Sequence, residues 1–201
     1  FNLQEKINFP YDKNYKDISS DFKLEDKTIV PVGGGKDSVV TIEALKNNNE
    51  EIILFSVGNL KPIRDVCNVS GYPHIYVTRK ISPVLFELNS QGAYNGHVPI
   101  SAILAFIMAA SAIIYGFKNI AMSNERSANV GNLIKDGLEI NHQYSKSLEF
   151  EKDINEYFKN VVLKDLNYFS FLRPLSELHI SKLFSKEEKY HSVFTSCNSA
   201  F

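Results

Sequence analysis

Short apolar runs alternate with amphipathic stretches between residues 27 and 123. Lys27–Val32 (KTIVPV) is a compact apolar run that stops at three glycines, the pattern of a buried strand. Asp37–Lys46 follows, with Val39, Val40, Ile42 and Leu45 spaced to pack one side of a helix. Glu51–Val57 (EIILFSV) predicts a second strand closed by Gly58-Asn59, and Pro62–Val69 a short helix closed by Ser70-Gly71. His74–Thr78 (HIYVT) predicts a third strand. Ser82-Pro83 then offers a cap residue and a proline at the first helical position. A long apolar helix over 98–116 and a fourth strand at Asn119–Ser123 (NIAMS) complete the series. Strand alternating with helix in this way predicts an α/β fold, a parallel sheet with helices on both faces. The polar stretches Gly33–Ser38, Gly58-Asn59 and Asn124–Asn132 each follow a strand end. They are expected to meet at one rim, where such sheets bind ligands.

The pattern differs at both ends of the chain. Residues 1–26 are polar, without a clear period, and are expected to be a lead-in or linker from a region upstream, since the chain opens on Phe1 rather than Met. Past residue 133 a loop through Asn141–Ser147 and helical pieces near Phe150–Leu163 and Pro174–Phe184 predict a helical C-terminal extension. Val98 to Phe117 carries no charge and has about the length of a bilayer span. Its proline, serines and many alanines instead predict a buried helix pressed against other structure, so no membrane partner is expected.

Composition narrows the partners. Lys plus Arg number 22 against 23 Asp plus Glu, for a net charge of −1, and no run of four basic residues occurs. A protein gripping nucleic acid by its phosphates would show a basic excess or stripe, so nucleic acid is not the expected partner. Cys67 and Cys197 lie far apart and form no close-spaced metal pattern. That usage suits a reducing, cytoplasmic setting, and no secretory leader is visible.

The chemistry starts at Gly33-Gly34-Gly35-Lys36-Asp37-Ser38. Three glycines between strand and helix let the backbone turn tightly and bring its N–H groups against an anion. The helix N-terminus adds partial positive charge there. A Walker A loop fails, because Gly35-Lys36 is followed by Asp37 and its first glycine position holds Val30. A dinucleotide fingerprint fits poorly, because the second strand ends without a carboxylate. A second polar cluster, Met122–Asn129 (MSNERSAN), runs out of the end of the fourth strand. Arg126 can pair with phosphate or carboxylate, and Glu125 can hold a metal, orient Arg126 or act as a base. In Asn141–Ser147, His142 can shuttle protons near neutral pH, and Lys146 can neutralise a carboxylate beside Tyr144 and Ser145. His97, before the apolar helix, and Cys197 are weaker candidates for proton transfer.

Gly34, Gly35, Asp37 and Ser38 match the S-G-G-x-D-S loop of the PP-loop ATP pyrophosphatases (N-type, HUP-like), which this chain resembles; Gly33 stands where that group has Ser. The resemblance implies ATP with magnesium. Gly33 to Ser38 would hold the β and γ phosphates, Asp37 would help hold the metal, and Phe55, Ser56 and Val57 would meet adenine. The blocks 92–102, 122–132, 140–151 and 168–185, with Ser196-Cys197-Asn198, resemble one family of this group. That family is the UDP-N-acetylmuramoyl-L-alanyl-L-glutamate epimerases of peptidoglycan synthesis (MurL), specifically their C-terminal PP-loop domain. The likeness implies a PP-loop core over 27–135 and a substrate-binding extension over 136–201, with an N-terminal domain of the same protein as partner. The implied reaction inverts the terminal L-Glu of a UDP-muramoyl dipeptide through an acyl adenylate, releasing AMP and pyrophosphate. Adenylation removes the carboxylate's charge and makes the neighbouring C–H far easier to deprotonate. His142, Glu125 and Cys197 are then the candidate proton carriers, in that order, and Asn124, Arg126, Tyr144, Ser145 and Lys146 the substrate contacts. Rival readings are another adenylating PP-loop enzyme, acting in amide ligation or in tRNA or nucleobase modification, or a domain that binds ATP without cleaving it.

Overall fold

The computed structural model describes residues 22–94, 96 and 98–196. Strand β1 (Glu25–Pro31) runs through the glycines into helix α1 (Lys36–Asn47), and β2 (Ile52–Val57), α2 (Lys61–Ser70) and β3 (His74–Val77) follow. Helices α3 (Pro83–Ser90) and α4 (Ile100–Tyr115) carry the chain back to β4 (Phe117–Met122). A hairpin of β5 (Leu133–Lys135) and β6 (Leu138–Ile140) precedes α5 (Leu148–Tyr157), β7 (Asn167–Ser170) and α6 (Glu177–Phe184).

The sheet order is β3-β2-β1-β4-β7, every pairing is parallel, and helices lie on both faces: the α/β architecture that the alternation predicted. The central strands β1 and β4 are buried on both faces over Ile29–Val30 and Ile120–Met122, and need no polar side there, which is why those segments read as continuous apolar runs. Val30, Leu54 and Ala121 pack with α1, α2 and α6 on one face; Ile29, Phe55 and Ile120 pack with α4 and α5 on the other. Each fully covered Ile or Leu, such as Ile29 or Leu54, contributes about 1.5–3 kcal/mol.

The apolar helix expected over 98–116 is α4, a 16-residue helix closed by Gly116 at φ +79°. Ala105, Met108, Ala109 and Ala112 face the sheet, where small side chains allow a close approach. Among the described residues no helix is long and apolar enough to cross a membrane.

Two elements depart from the expected loops and helical pieces past residue 133. Asp136 (φ +53°) and Gly137 (φ +78°) turn the β5–β6 hairpin, the Asp-Gly combination that suits a two-residue turn. Asn167–Ser170, too short and too polar to announce itself, joins the sheet beside β4 as its fifth strand. Side chains of α5 occupy its other edge. The Tyr168 N–H donates to Asn155 Oδ1 at 2.9 Å, Asn155 Nδ2 donates back to the Tyr168 carbonyl, and the Ser170 N–H donates to Glu151 Oε2 at 3.0 Å. These bonds satisfy backbone groups that an open edge would leave for another chain.

Candidate functional site

Strands β1 and β4 are neighbours, yet the chain leaves them in opposite directions across the sheet, β2 and β3 to one side and β7 to the other. The crevice at their carboxyl ends is the switch point at which open α/β sheets bind ligands. The glycine turn fills one side of it. Gly34 holds φ +84°, and a β-carbon there would meet the backbone and ring of Pro62 at 3.4 Å, so the turn packs on the start of α2. Gly33 has nothing within 4 Å of the equivalent position. Gly35 caps α1 in extended geometry without a side-chain hydrogen bond, so the first turn of the helix keeps its N–H groups for another acceptor.

Lys36 Nζ lies 2.6 Å from Asp37 Oδ1 and 2.7 Å from Glu177 Oε1. Burial works against its charge, but hydrogen bonds to the two carboxylates outweigh that and raise its pKa. Ser38 is buried and donates to the Gly35 carbonyl at 2.9 Å, which braces the turn. The Thr195 N–H donates to the Gly34 carbonyl at 2.8 Å, bringing the end of the described chain against the glycines. Phe55 is only 1% exposed and sits in the core, so its ring does not reach the rim. Ser56 is buried, donates to the Gly58 carbonyl at 2.7 Å and lies 2.8 Å from His74 Nε2. Val57 is half-buried at the end of β2.

The second polar cluster is tied to this turn. Ser123 shares a hydrogen bond with Thr41 of α1 at 2.9 Å, and Asn124 Nδ2 donates to Ser170 Oγ at 3.0 Å. Glu125 accepts from the N–H and hydroxyl of Ser127, capping a one-turn 3-10 helix that begins at Arg126. The Arg126 N–H donates to the Leu175 carbonyl and its side chain is exposed. The third cluster meets the second: Asn141 Nδ2 donates to the Ala128 carbonyl at 3.0 Å, and the Leu148 N–H to Asn129 Oδ1 at 2.7 Å. Tyr144, hydrogen-bonded to Asp153, lines a cleft of about 620 Å³ with Asn129, Glu139, Asn141 and Ser147. Ser145 and Lys146 are half-buried in the same one-turn helix. His142 is exposed and hydrogen-bonds Asn132 and Gln143. His97 and Cys197 lie outside the described residues. Cys67 is a buried thiol whose pKa burial pushes up to about 12, which leaves it protonated and inert.

Arg173 and Glu151 form a pair that no local sequence pattern singles out. Both side chains are 13% exposed, and Arg173 Nη2 lies 2.9 Å from Glu151 Oε2 and 2.8 Å from Ser170 Oγ. Arg173 Nη1 reaches Asn129 Oδ1 at 3.3 Å, while its Nε is buried without a partner. This pair joins α5, β7 and the loop after β4 at the rim. The sequence signal was slight: a polar Ser-Phe-Leu-Arg exit from an unrecognised strand.

Fold and rim define an α/β protein with a glycine turn leading into an uncapped helix at the switch point of a parallel sheet. Residues 1–171 match the family model of the MurL N-terminal domain. The chain is 39% identical over 199 residues to the UDP-N-acetyl-alpha-D-muramoyl-L-alanyl-L-glutamate epimerase of Xanthomonas oryzae pv. oryzae, covering 99% of this chain and 44% of that protein. It is 46% identical over 170 residues to the protein of the same name from Salinispora tropica, covering 85% of this chain and 37% of that one. The chain belongs to the MurL family. The matched domain is the N-terminal one, which corrects the expectation of a C-terminal domain partnered by an N-terminal one. The chain spans less than half the length of these curated relatives.

Proposed function

We propose that this chain is the nucleotide-binding part of an epimerase that converts the terminal L-Glu of UDP-MurNAc-L-Ala-L-Glu to D-Glu, using ATP as co-substrate. The observation that carries the reading is the likeness, over 99% of the chain, to a protein bearing that epimerase name. The glycine turn supports the ATP part. An uncapped α1 N-terminus, open space at Gly33 and the neighbouring Lys36 suit the pyrophosphate of a nucleotide, in the manner of a PP-loop. Asp37 is the residue that would hold magnesium, which would shield phosphate charge. Adenylation of the glutamate carboxylate removes its negative charge and acidifies the α-carbon. Arg126 and Lys146 have the charge to hold the anionic substrate, and Glu125 and His142 are the proton carriers in this scheme.

The test incubates the chain, beside an intact relative, with ATP, magnesium and UDP-MurNAc-L-Ala-L-Glu. AMP, pyrophosphate and the chirality of the product glutamate are then measured. AMP together with D-Glu is expected. AMP without inversion discards this substrate and keeps the nucleotide chemistry; ADP in place of AMP sinks the adenylation scheme. Arg126→Ala and Lys146→Ala in this chain are each expected to lower kcat/KM by about tenfold or more, the scale of one charge-assisted contact.

A further inference from the structure

Parallel sheets are stable when both faces are covered. Over β2 the α2 side meets that condition, with Leu54 buried together with Ile63 and Val66. On the opposite side Ile29, Ile120 and Tyr168 are buried with α4 and α5, but Ile53 and Val57 of β2 and Ile75 and Val77 of β3 are only half-buried. Helix α3, which follows β3, buries none of its residues. Val84, Leu85, Phe86 and Leu88 are exposed by 53%, 45%, 62% and 46%. A helix with four large apolar side chains and no covered side has no stabilising reason to stand in water. On α4, Ile103 and Phe106 are exposed as well. From Leu88 to Phe117 the sequence contains no Asp, Glu, Lys or Arg, whereas solvent-facing surfaces carry charges of both signs.

We propose that the α3–α4 crossover is a docking face for the remaining part of the family's polypeptide. Two findings choose this occupant. The chain accounts for 44% and 37% of the length of the two relatives, so more than half of each lies outside the match. The matched model is one domain of the family, and a domain packed on a predominantly apolar face, with Glu87 the one charged residue of α3, has the character of a lasting interface. The partner surface is therefore apolar and poor in charge. This inference is independent of the ATP chemistry, since none of its residues lies in the glycine turn or the polar loops.

The experiment produces separately the part of the Xanthomonas oryzae relative outside the match and titrates it into this chain, with hydrogen exchange read on the mixture. A one-to-one complex with slowed exchange over residues 83–106 is expected. Leu85→Glu with Phe86→Glu should weaken it roughly tenfold or more while leaving the chain's own thermal midpoint in place, because both positions are exposed. Failure to bind, unaltered binding by the double variant, or protection confined to other segments overturns the proposal. So does a homodimer of this chain that the double variant dissolves, or uptake of phospholipid vesicles through this face. If the separate part does not fold, exchange on the intact relative decides. Slow exchange over the stretch matching 83–106 supports the interface, and exchange as fast as in the isolated chain overturns it.

Discussion

Gly34 is the residue on which the shape of the rim turns. Its φ of +84° is open to glycine and strained for other residues, and Pro62 stands at contact distance from the position a β-carbon would take. Gly34→Ala is expected to cost about 1–3 kcal/mol in urea unfolding, from backbone strain. It is expected to weaken ATP binding as well, whereas Gly33→Ala, with open space around it, should cost less stability. His74 gives the chain a pH dependence. Burial lowers its pKa below the ordinary 6.5, and with Ser56 donating to Gly58 the ring offers Nε2–H to the serine. The native state then refuses a proton that the unfolded chain accepts near pH 6.5. Stability is therefore full above that value and falls as pH drops from it towards the lower native pKa. The decline in urea midpoint between about pH 7.5 and about pH 5 should be smaller in His74→Gln than in the parent chain.

At the scale of elements, the rim depends on α5. Through Asn155 and Glu151 this helix completes the hydrogen bonding of β7, and through Glu151 and Arg173 it fixes the loop that carries Asn124, Glu125 and Arg126. Removing one member of a largely buried ion pair strands the other. Glu151→Met or Arg173→Met alone is thus expected to cost about 3 kcal/mol in thermal or urea unfolding. The double change should cost clearly less than the sum, since neither charge is then left unpaired. Additive losses in that cycle would show that the pair does not couple. The clamp was invisible in the sequence because Glu151 and Arg173 are 22 residues apart and meet only once β7 is in the sheet.

At the scale of the molecule, the switch point gathers segments distant in sequence. Lys36 meets Glu177, Gly34 meets Thr195, and Thr41 meets Ser123, so the glycine turn, the loop after β4 and the C-terminal helices share one rim. Tyr190 adds an anchor on α1, donating at 2.5 Å to the buried Glu43. Under the proposed function, inversion of glutamate draws on this whole rim, and the docking role proposed for the α3–α4 face is separate from that chemistry.

The sequence by itself determined the strands β1 to β4, their helices and the glycine turn. Apolar runs buried on both faces, and glycines between strand and helix, are local signals that need no neighbour to be read. It also carried the family likeness, while the domain to which that likeness refers came from the match to known proteins. Tertiary structure decided what a one-dimensional pattern cannot hold. It made Asn167–Ser170 a strand by pairing it with β4 and Asn155, put Phe55 in the core although it ends near the rim, and joined Arg173 to Glu151. It also left α3 bare. A run such as PVLFEL reads as a helix to be buried, and only the packing of the whole chain shows that nothing among the described residues buries it.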